Sequence, residues 1–193
     1  ARRHGVVVHR PDIQRSGVFP LLEPLDDARP GPTGIDPCLA EEQPPIAPYD
    51  QRVPLDYAAH RRDAGHAVRL GLAGVTSIGE KLAERIVAER EAHGAYRDLS
   101  DLSRRVGLTI AQLEALAAAG AFEGFGLDRR QAIWEAGNAA QERPEYLAGT
   151  AITVQPPLLP LLGAAERLAA DLWATGISTD DHPIRFLRPA LAS

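Results

Sequence analysis

A chain of 193 residues in which 45% are apolar, 24% charged and 5% aromatic belongs to the globular class and has room for one or two domains. No apolar run reaches the roughly 20 residues that a bilayer-crossing helix needs and no signal peptide opens the chain, so a soluble, cytoplasmic protein with no membrane partner is expected. A net charge of -5 excludes a strongly basic nucleic-acid binder and limits any DNA contact to a local patch, while the single cysteine, Cys38, excludes a disulfide framework and a Cys-rich zinc site.

His4-Gly5-Val6-Val7-Val8-His9 is a short β-branched run followed by Pro11-Asp12, which predicts one strand and a turn within residues 1–19. From Pro20 to about Asp56 prolines recur among acidic residues with neither a helical nor a strand period, and 20–66 reads as linker or irregular surface. Proline then vanishes until Pro144, and residues 67–143, rich in Ala and Leu, read as the folded core. Residues 144–162 form a second Pro-rich linker. In 163–193, Ala164 to Ala174 predicts an amphipathic helix with Leu168, Leu172 and Trp173 on one side and Gly176 just past its end. Asp180 to Pro183 reads as a turn, and Ile184 to Leu191 carries no clear assignment.

Within the core, Ser77 and Glu80 stand in the S-x-x-E relation of a capping box and predict a helix from there to about Ala92, with Leu82, Ala83, Ile86 and Val87 as its buried stripe. His93-Gly94 should end it, Gly94 serving as a left-handed terminator. Gly79 falls just inside this helix, where glycine costs helix propensity. Close approach of a phosphate explains that glycine, because a first helical turn presents unpaired N–H groups and a partial positive charge. The plainer explanation is tight packing against the preceding turn. Lys81 is placed to add charge.

A second unit follows the same plan. Asp98 or Ser100 caps a short helix through Leu102 and Val106, Gly107-Leu108 turns, and Thr109 with Gln112 makes a capping box for Ile110 to Ala119. Leu113, Leu116 and Ala117 supply its inner face, and Phe122 folds back over it. Asp128 caps a last helix, Arg129 to Gln141, with Ala132, Ile133, Ala136 and Ala140 inward and Arg143-Pro144 as the stop. The expected fold is therefore mainly α: a tandem helix-hairpin-helix domain flanked by irregular Pro-rich segments and a short N-terminal β element.

Several blocks in this order resemble the α subunit of bacterial C-family DNA polymerase III, in particular its error-prone branch. They are Gly5-Val6-Val7-Val8 with Pro11-Asp12-Ile13-x-x-Ser16, Val68-Arg69-Leu70-Gly71-Leu72 leading to Val75–Gly79, and Ile86-Val87-x-x-Arg90 with Gly94-x-Tyr96-x-x-Leu99-x-Asp101. Leu113-Glu114-x-Leu116-x-x-x-Gly120-Ala121-Phe122, Ala174-Thr175-Gly176-Ile177-Ser178 and His182-Pro183 complete the series. The resemblance implies that residues 1–19 are the end of a fingers domain and that the tandem hairpins contact duplex DNA behind an active site. The catalytic palm lies upstream in that family and nothing here matches it. No catalytic residue and no cofactor are therefore expected in this chain, although the parent enzyme would use Mg and deoxynucleoside triphosphates. The 16 prolines and the absence of methionine suggest a fragment, and the resemblance implies a C-terminal one leading towards a missing OB-fold. The family hairpin has glycine on both sides of its apolar residue, whereas here the triplets are Ser77-Ile78-Gly79 and Gly107-Leu108-Thr109.

The expected DNA-backbone site is Ser77, Ile78, Gly79 and Lys81 with Arg104, Arg105, Gly107, Leu108 and Thr109, its partner duplex or primer-template DNA held without base reading. The pairs Arg61-Arg62, Arg104-Arg105 and Arg129-Arg130 either track phosphates or form a solvated face. The alternative function is a protein-interaction scaffold in which the Leu-Pro segment 156–162 or the Trp173 helix docks a mutagenesis accessory protein. Gln155-Pro156-Pro157-Leu158-Leu159 is a poor match to the family's sliding-clamp motif, and no histidine has metal-ligand spacing, so no metal site is expected.

Overall fold

The computed structural model describes residues 6–25, 66–139 and 159–191, and these divide into a small strand unit and a larger helical unit. The strand unit is a three-stranded sheet of β1 (Val8–His9), β2 (Leu21–Pro24, its first residue counted with the helical unit) and β3 (His66–Arg69), in the order β1-β3-β2. β1 and β3 run parallel, Val8 opposite Val68 and His9 opposite Arg69. A parallel pair cannot be closed by a tight turn, which accounts for the long stretch of chain between them. The Arg69 guanidinium meets the Glu23 carboxylate at 2.6 Å, and both are buried, so each charge has the partner that burial requires. Two expectations change here. Only Val8–His9 of the predicted first strand is strand among the described residues, and Ala67 to Arg69, expected to open the helical core, are strand.

The helical unit contains α1 (Gly79–His93), α2 (Leu99–Val106), α3 (Ile110–Ala118), α4 (Arg129–Ala139), α5 (Ala164–Thr175) and α6 (Pro183–Leu191). Ile86, Leu102, Leu113, Leu116 and Phe122 are fully buried at its centre and share one core with Ile13 and Leu72. Phe122 and Phe125 stack with ring centroids 5.8 Å apart, so the turn after α3 folds back over the core as its aromatic predicts.

The Pro11–Ser16 block acts as a polar clamp on this core. Ser16 Oγ accepts from the Asp12 amide at 2.9 Å and donates to the Leu70 carbonyl at 2.7 Å. Arg90, on α1, donates to the carbonyls of Ile13 and Ser16, and the Gln14 side-chain amide exchanges two hydrogen bonds with the Tyr96 backbone. A buried loop must satisfy its backbone polar groups, and these side chains do so.

Other helix positions differ from the one-dimensional reading. Of the α4 face, Ala132, Ala136 and Ala139 are buried while Ile133 is partly exposed; Ala140, Gln141, Arg143 and Pro144 lie outside the described residues. On α5, Leu168 is buried as expected, but Leu172 and Trp173 are exposed and the other inward positions are Asp171 and Ala174. Asp171 explains the choice of face: it accepts from Arg129 and, at 2.7 Å, from Ser178, and Arg10 approaches it at 3.7 Å. A carboxylate buried among cations fixes the helix rotation more strongly than the apolar stripe does. Gly176 ends α5 in the left-handed conformation, as expected, and Ile184 to Leu191, left unassigned by the sequence, form α6 together with Pro183, the last residue of the expected turn.

Candidate nucleic-acid interface

The two hairpins share a plan with different chemistry. In the first, Ile78 is buried and anchors the turn while Ser77 and Gly79 on either side of it are exposed, both with φ of +65°. Ile78 between them is right-handed, so φ alternates in sign over three residues. Alternation of this kind turns successive N–H groups toward one side and forms a concave anion nest. The predicted capping box is absent. α1 begins at Gly79, its N-cap is Ile78, and no side chain bonds the first turn. Ser77 lies one residue too early, and in a left-handed conformation rather than the extended one a cap requires. Gly79 is thus the entry to the helix and not an interior position. Its positive φ is sufficient reason for glycine, and a Cβ there would meet only open space.

A serine at positive φ carries backbone strain that glycine does not. Ser77→Gly should therefore stabilise the chain by about 0.5 kcal/mol, after the entropy that glycine adds to the unfolded state. Urea unfolding midpoints of the two proteins test this, and a lower midpoint for the variant would contradict it.

In the second hairpin Leu108 is the buried anchor and Gly107, left-handed at φ 73°, ends α2. Here the capping box forms as predicted: Gln112 N–H donates to Thr109 Oγ1 at 3.3 Å and Thr109 N–H donates to Gln112 Oε1 at 2.9 Å. Two donors that would otherwise face a ligand are already paired. The hairpins are therefore unequal, the first with an uncapped N-terminus and the second closed on itself. Lys81 is exposed on the first turn of α1, next to the open end.

Arg104 and Arg105, expected to supply charge, are placed in an internal network. Arg104 donates to Asp101 at 2.8 Å. Arg105 pairs with Glu89 at 3.0 Å and Asp101 at 3.3 Å, donates to the carbonyls of Glu89, Ala95 and Gly94, and lies 4.3 Å from the centre of the Tyr96 ring. The hydrogen bond from Arg105 holds the Glu89 carboxyl below its ordinary range, with His93 assisting. Burial pushes the Tyr96 phenol up to about 12, and its hydroxyl donates to the Ile86 carbonyl at 2.7 Å. Arg105 thus ties the end of α1 to α2; Gly94, the terminator between them, has positive φ but extended ψ, outside the left-handed helical region. Arg129 and Arg130 pair with Asp171 and Glu166, and Arg61 and Arg62 lie outside the described residues.

Two participants escaped the sequence reading. Arg85 donates to the Val106 carbonyl and so closes the end of α2 beside the second hairpin. Thr76, immediately before the first hairpin triplet, donates its amide to the Ala174 carbonyl at 2.7 Å and its hydroxyl to the Trp173 carbonyl at 2.9 Å. Neither has a local signature, since each acts on an element distant in sequence. Among the described residues no group of His, Cys, Asp and Glu could hold a metal ion, and no helix is long and apolar enough to cross a membrane. The clamp-like segment, residues 155–159, lies outside the described residues except for Leu159.

Comparison with known proteins agrees with this geometry. A family model described as helix-hairpin-helix motif matches residues 5–132. The chain is 46% identical over 198 aligned positions to the error-prone DNA polymerase of Cutibacterium acnes, covering 99% of this chain and 17% of that protein. It is 50% identical over 191 positions to the error-prone DNA polymerase of Mycobacterium tuberculosis, with 99% and 14% covered. The error-prone DNA polymerase of Nocardia farcinica is 43% identical, with 97% and 14% covered. The chain thus spans about a sixth or less of these curated relatives. With two helical hairpins, each turned on a buried aliphatic residue, and a family match over most of its length, the chain belongs to the helix-hairpin-helix motif family and resembles one segment of the error-prone DNA polymerases.

Proposed function

We propose that this chain is a non-catalytic, sequence-independent DNA-binding segment of an error-prone polymerase that serves damage-induced mutagenesis and translesion synthesis. The observation that carries the reading is the open first hairpin. Alternating φ at Ser77, Ile78 and Gly79, an uncapped first turn and the exposed Lys81, with Glu80 beside it, make one open helix end whose free N–H groups suit a phosphate. Contacts of this type position a duplex and read no bases. The second hairpin, closed by Thr109 and Gln112, contributes less. Arg105 acts by fixing the spacing of α1 and α2, and Arg104 supports it through their shared partner Asp101.

The test is fluorescence anisotropy of a labelled primer-template DNA over a range of salt concentrations. Two to four neutralised phosphates give a slope of log affinity against log salt of roughly -2 to -4. Ser77→Asp, a residue that tolerates positive φ, places a carboxylate at the open end and should weaken binding about tenfold or more. Thr109→Asp keeps a capping acceptor and should weaken it much less. Absence of binding by the unmodified chain, or a slope of zero, overturns the proposal.

A further inference from the structure

α5 ends against the first hairpin, and the contact is built to remove charge. Three carbonyls of its last turn are taken: Leu172 O accepts from Gly176 N–H at 3.0 Å, Trp173 O from the Thr76 hydroxyl at 2.9 Å and Ala174 O from the Thr76 amide at 2.7 Å. The end of a helix carries partial negative charge on such carbonyls and would repel a nearby phosphate. Here the residue next to the hairpin triplet neutralises two of them. Thr175 folds the chain sharply after α5, its hydroxyl donating to the Asp171 carbonyl at 3.0 Å, while Ile177 N–H donates back to that hydroxyl at 3.4 Å. The Thr-Gly-Ile-Ser block thereby shapes the chain after α5, while Thr76 holds the end of α5 at the hairpin.

What this end presents to solvent is apolar. Trp173 is 58% exposed and Ile177 53%, although Trp is a residue that proteins bury heavily. Asp180 and Asp181, the acidic residues that follow, are paired with Arg10 and Arg185. From this juxtaposition we infer that Trp173 is a second DNA contact, its indole packing on the sugar and base edge beside the phosphate held at Ser77–Lys81. The inference rests on the DNA-binding reading of the first hairpin and adds a contact of different physics. Deoxyribose rings are the apolar surface adjacent to any backbone phosphate, and an aromatic ring packs on them without sequence preference. Thr76, the residue before the hairpin triplet, bonds the main-chain carbonyls of Trp173 and Ala174, and this continuity of the end of α5 with the open hairpin favours DNA over a protein as the occupant.

The chain has two tryptophans, so Trp134→Phe leaves Trp173 as the sole indole reporter in the full chain. Its emission should shift and quench as short duplex DNA is added. Trp173→Ala should weaken binding roughly five- to thirtyfold, Trp173→Phe much less. The decisive readout is salt: loss of an uncharged packing contact lowers affinity equally at every concentration and leaves the salt slope unchanged, whereas Lys81→Ala makes the slope shallower by about 1. Circular dichroism confirms that the Trp173 variants remain helical. If DNA binds with the expected slope while Trp173 emission stays still and Trp173→Ala binds like the parent, the indole does not meet DNA and belongs to a protein-facing surface. If the unmodified chain binds no DNA, the hairpin reading fails and this contact falls with it.

Discussion

Gly71→Ala should destabilise the helical unit by about 3 kcal/mol or more, the cost of forcing a methyl into space already held by main chain. Gly71 has extended dihedrals that any residue adopts, φ -80° and ψ 159°, so the penalty is not conformational. A Cβ at this position would stand 2.4 Å from the Phe19 carbonyl carbon and 2.5 Å from the Val18 carbonyl oxygen. Those atoms cannot retreat. Leu72 N–H donates to Gly17 O and Ala73 N–H donates to Val18 O, each at 3.0 Å, and Ser16 bonds the Leu70 carbonyl from the same strand of chain. A flexible side chain could swing away from the methyl, but two backbones stitched together by these bonds move only if the bonds break. The melting temperature should fall by roughly 6–12 °C on this account. Gly74→Ala is the internal control, because a Cβ there meets nothing within 4 Å. It should leave the melting temperature unchanged or slightly raised. Equal melting of the Gly71 variant and the parent would show that the close crossing does not persist in solution.

The parts of this architecture that were legible in the sequence are those fixed by neighbours along the chain. Asp98 caps α2, Gly107 ends it, and Thr109 with Gln112 caps α3, because each motif is complete within a few residues and its partner is the adjacent backbone. The same local logic misled at Ser77. An S-x-x-E spacing satisfies the motif wherever it falls, but the cap forms only if the helix begins directly after the serine, and the left-handed turn delays α1 to Gly79. Trp173 misled for a different reason. A helical wheel ranks α5 by hydrophobicity, whereas the buried face is set by Asp171 meeting Arg129, a contact from another helix. The pairing of Val8 with Val68, likewise, has no signal that a window of sequence can contain. The two turns were legible in the sequence, and so was a difference between their triplets, but not that the first would lack the side-chain cap that the second has. Arg104 and Arg105 show why: the sequence gives two cations on a helix, and only the positions of Asp101 and Glu89 decide whether they face a ligand or each other's counterions.

Asp101→Ala should cost about 3 kcal/mol, and its effect should depend on pH in a way that identifies the network rather than the residue alone. The carboxylate is 5% exposed and accepts from the Arg97 amide at 3.2 Å and from the guanidiniums of Arg104 at 2.8 Å, Arg105 at 3.3 Å and Arg97 at 3.4 Å. Its removal leaves three like charges close together with one fewer anion between them. Burial by itself raises the Asp101 pKa, but the Arg97 amide and the Arg105 and Arg97 side chains outweigh it and hold the carboxyl below its usual value. A carboxyl that ionises more readily folded than unfolded stabilises the fold fully above its unfolded pKa, near about 4. That stabilisation disappears as pH falls through the lower, folded value. Glu89 is shifted in the same direction by the same arginine, so both acids of the network fail together on acidification. Urea unfolding at neutral pH and below about pH 4 should therefore show the parent losing stability steeply and Asp101→Asn, less stable at neutral pH, losing it less steeply. Equal slopes for the two would mean that another group governs the acid limb. Because this network joins the end of α1 to α2, and not either hairpin turn, the asparagine variant should bind DNA with the parental salt slope wherever it remains folded. Loss of DNA binding by the folded variant would instead place Arg104 or Arg105 in the interface and return to them the role that their charge alone suggests.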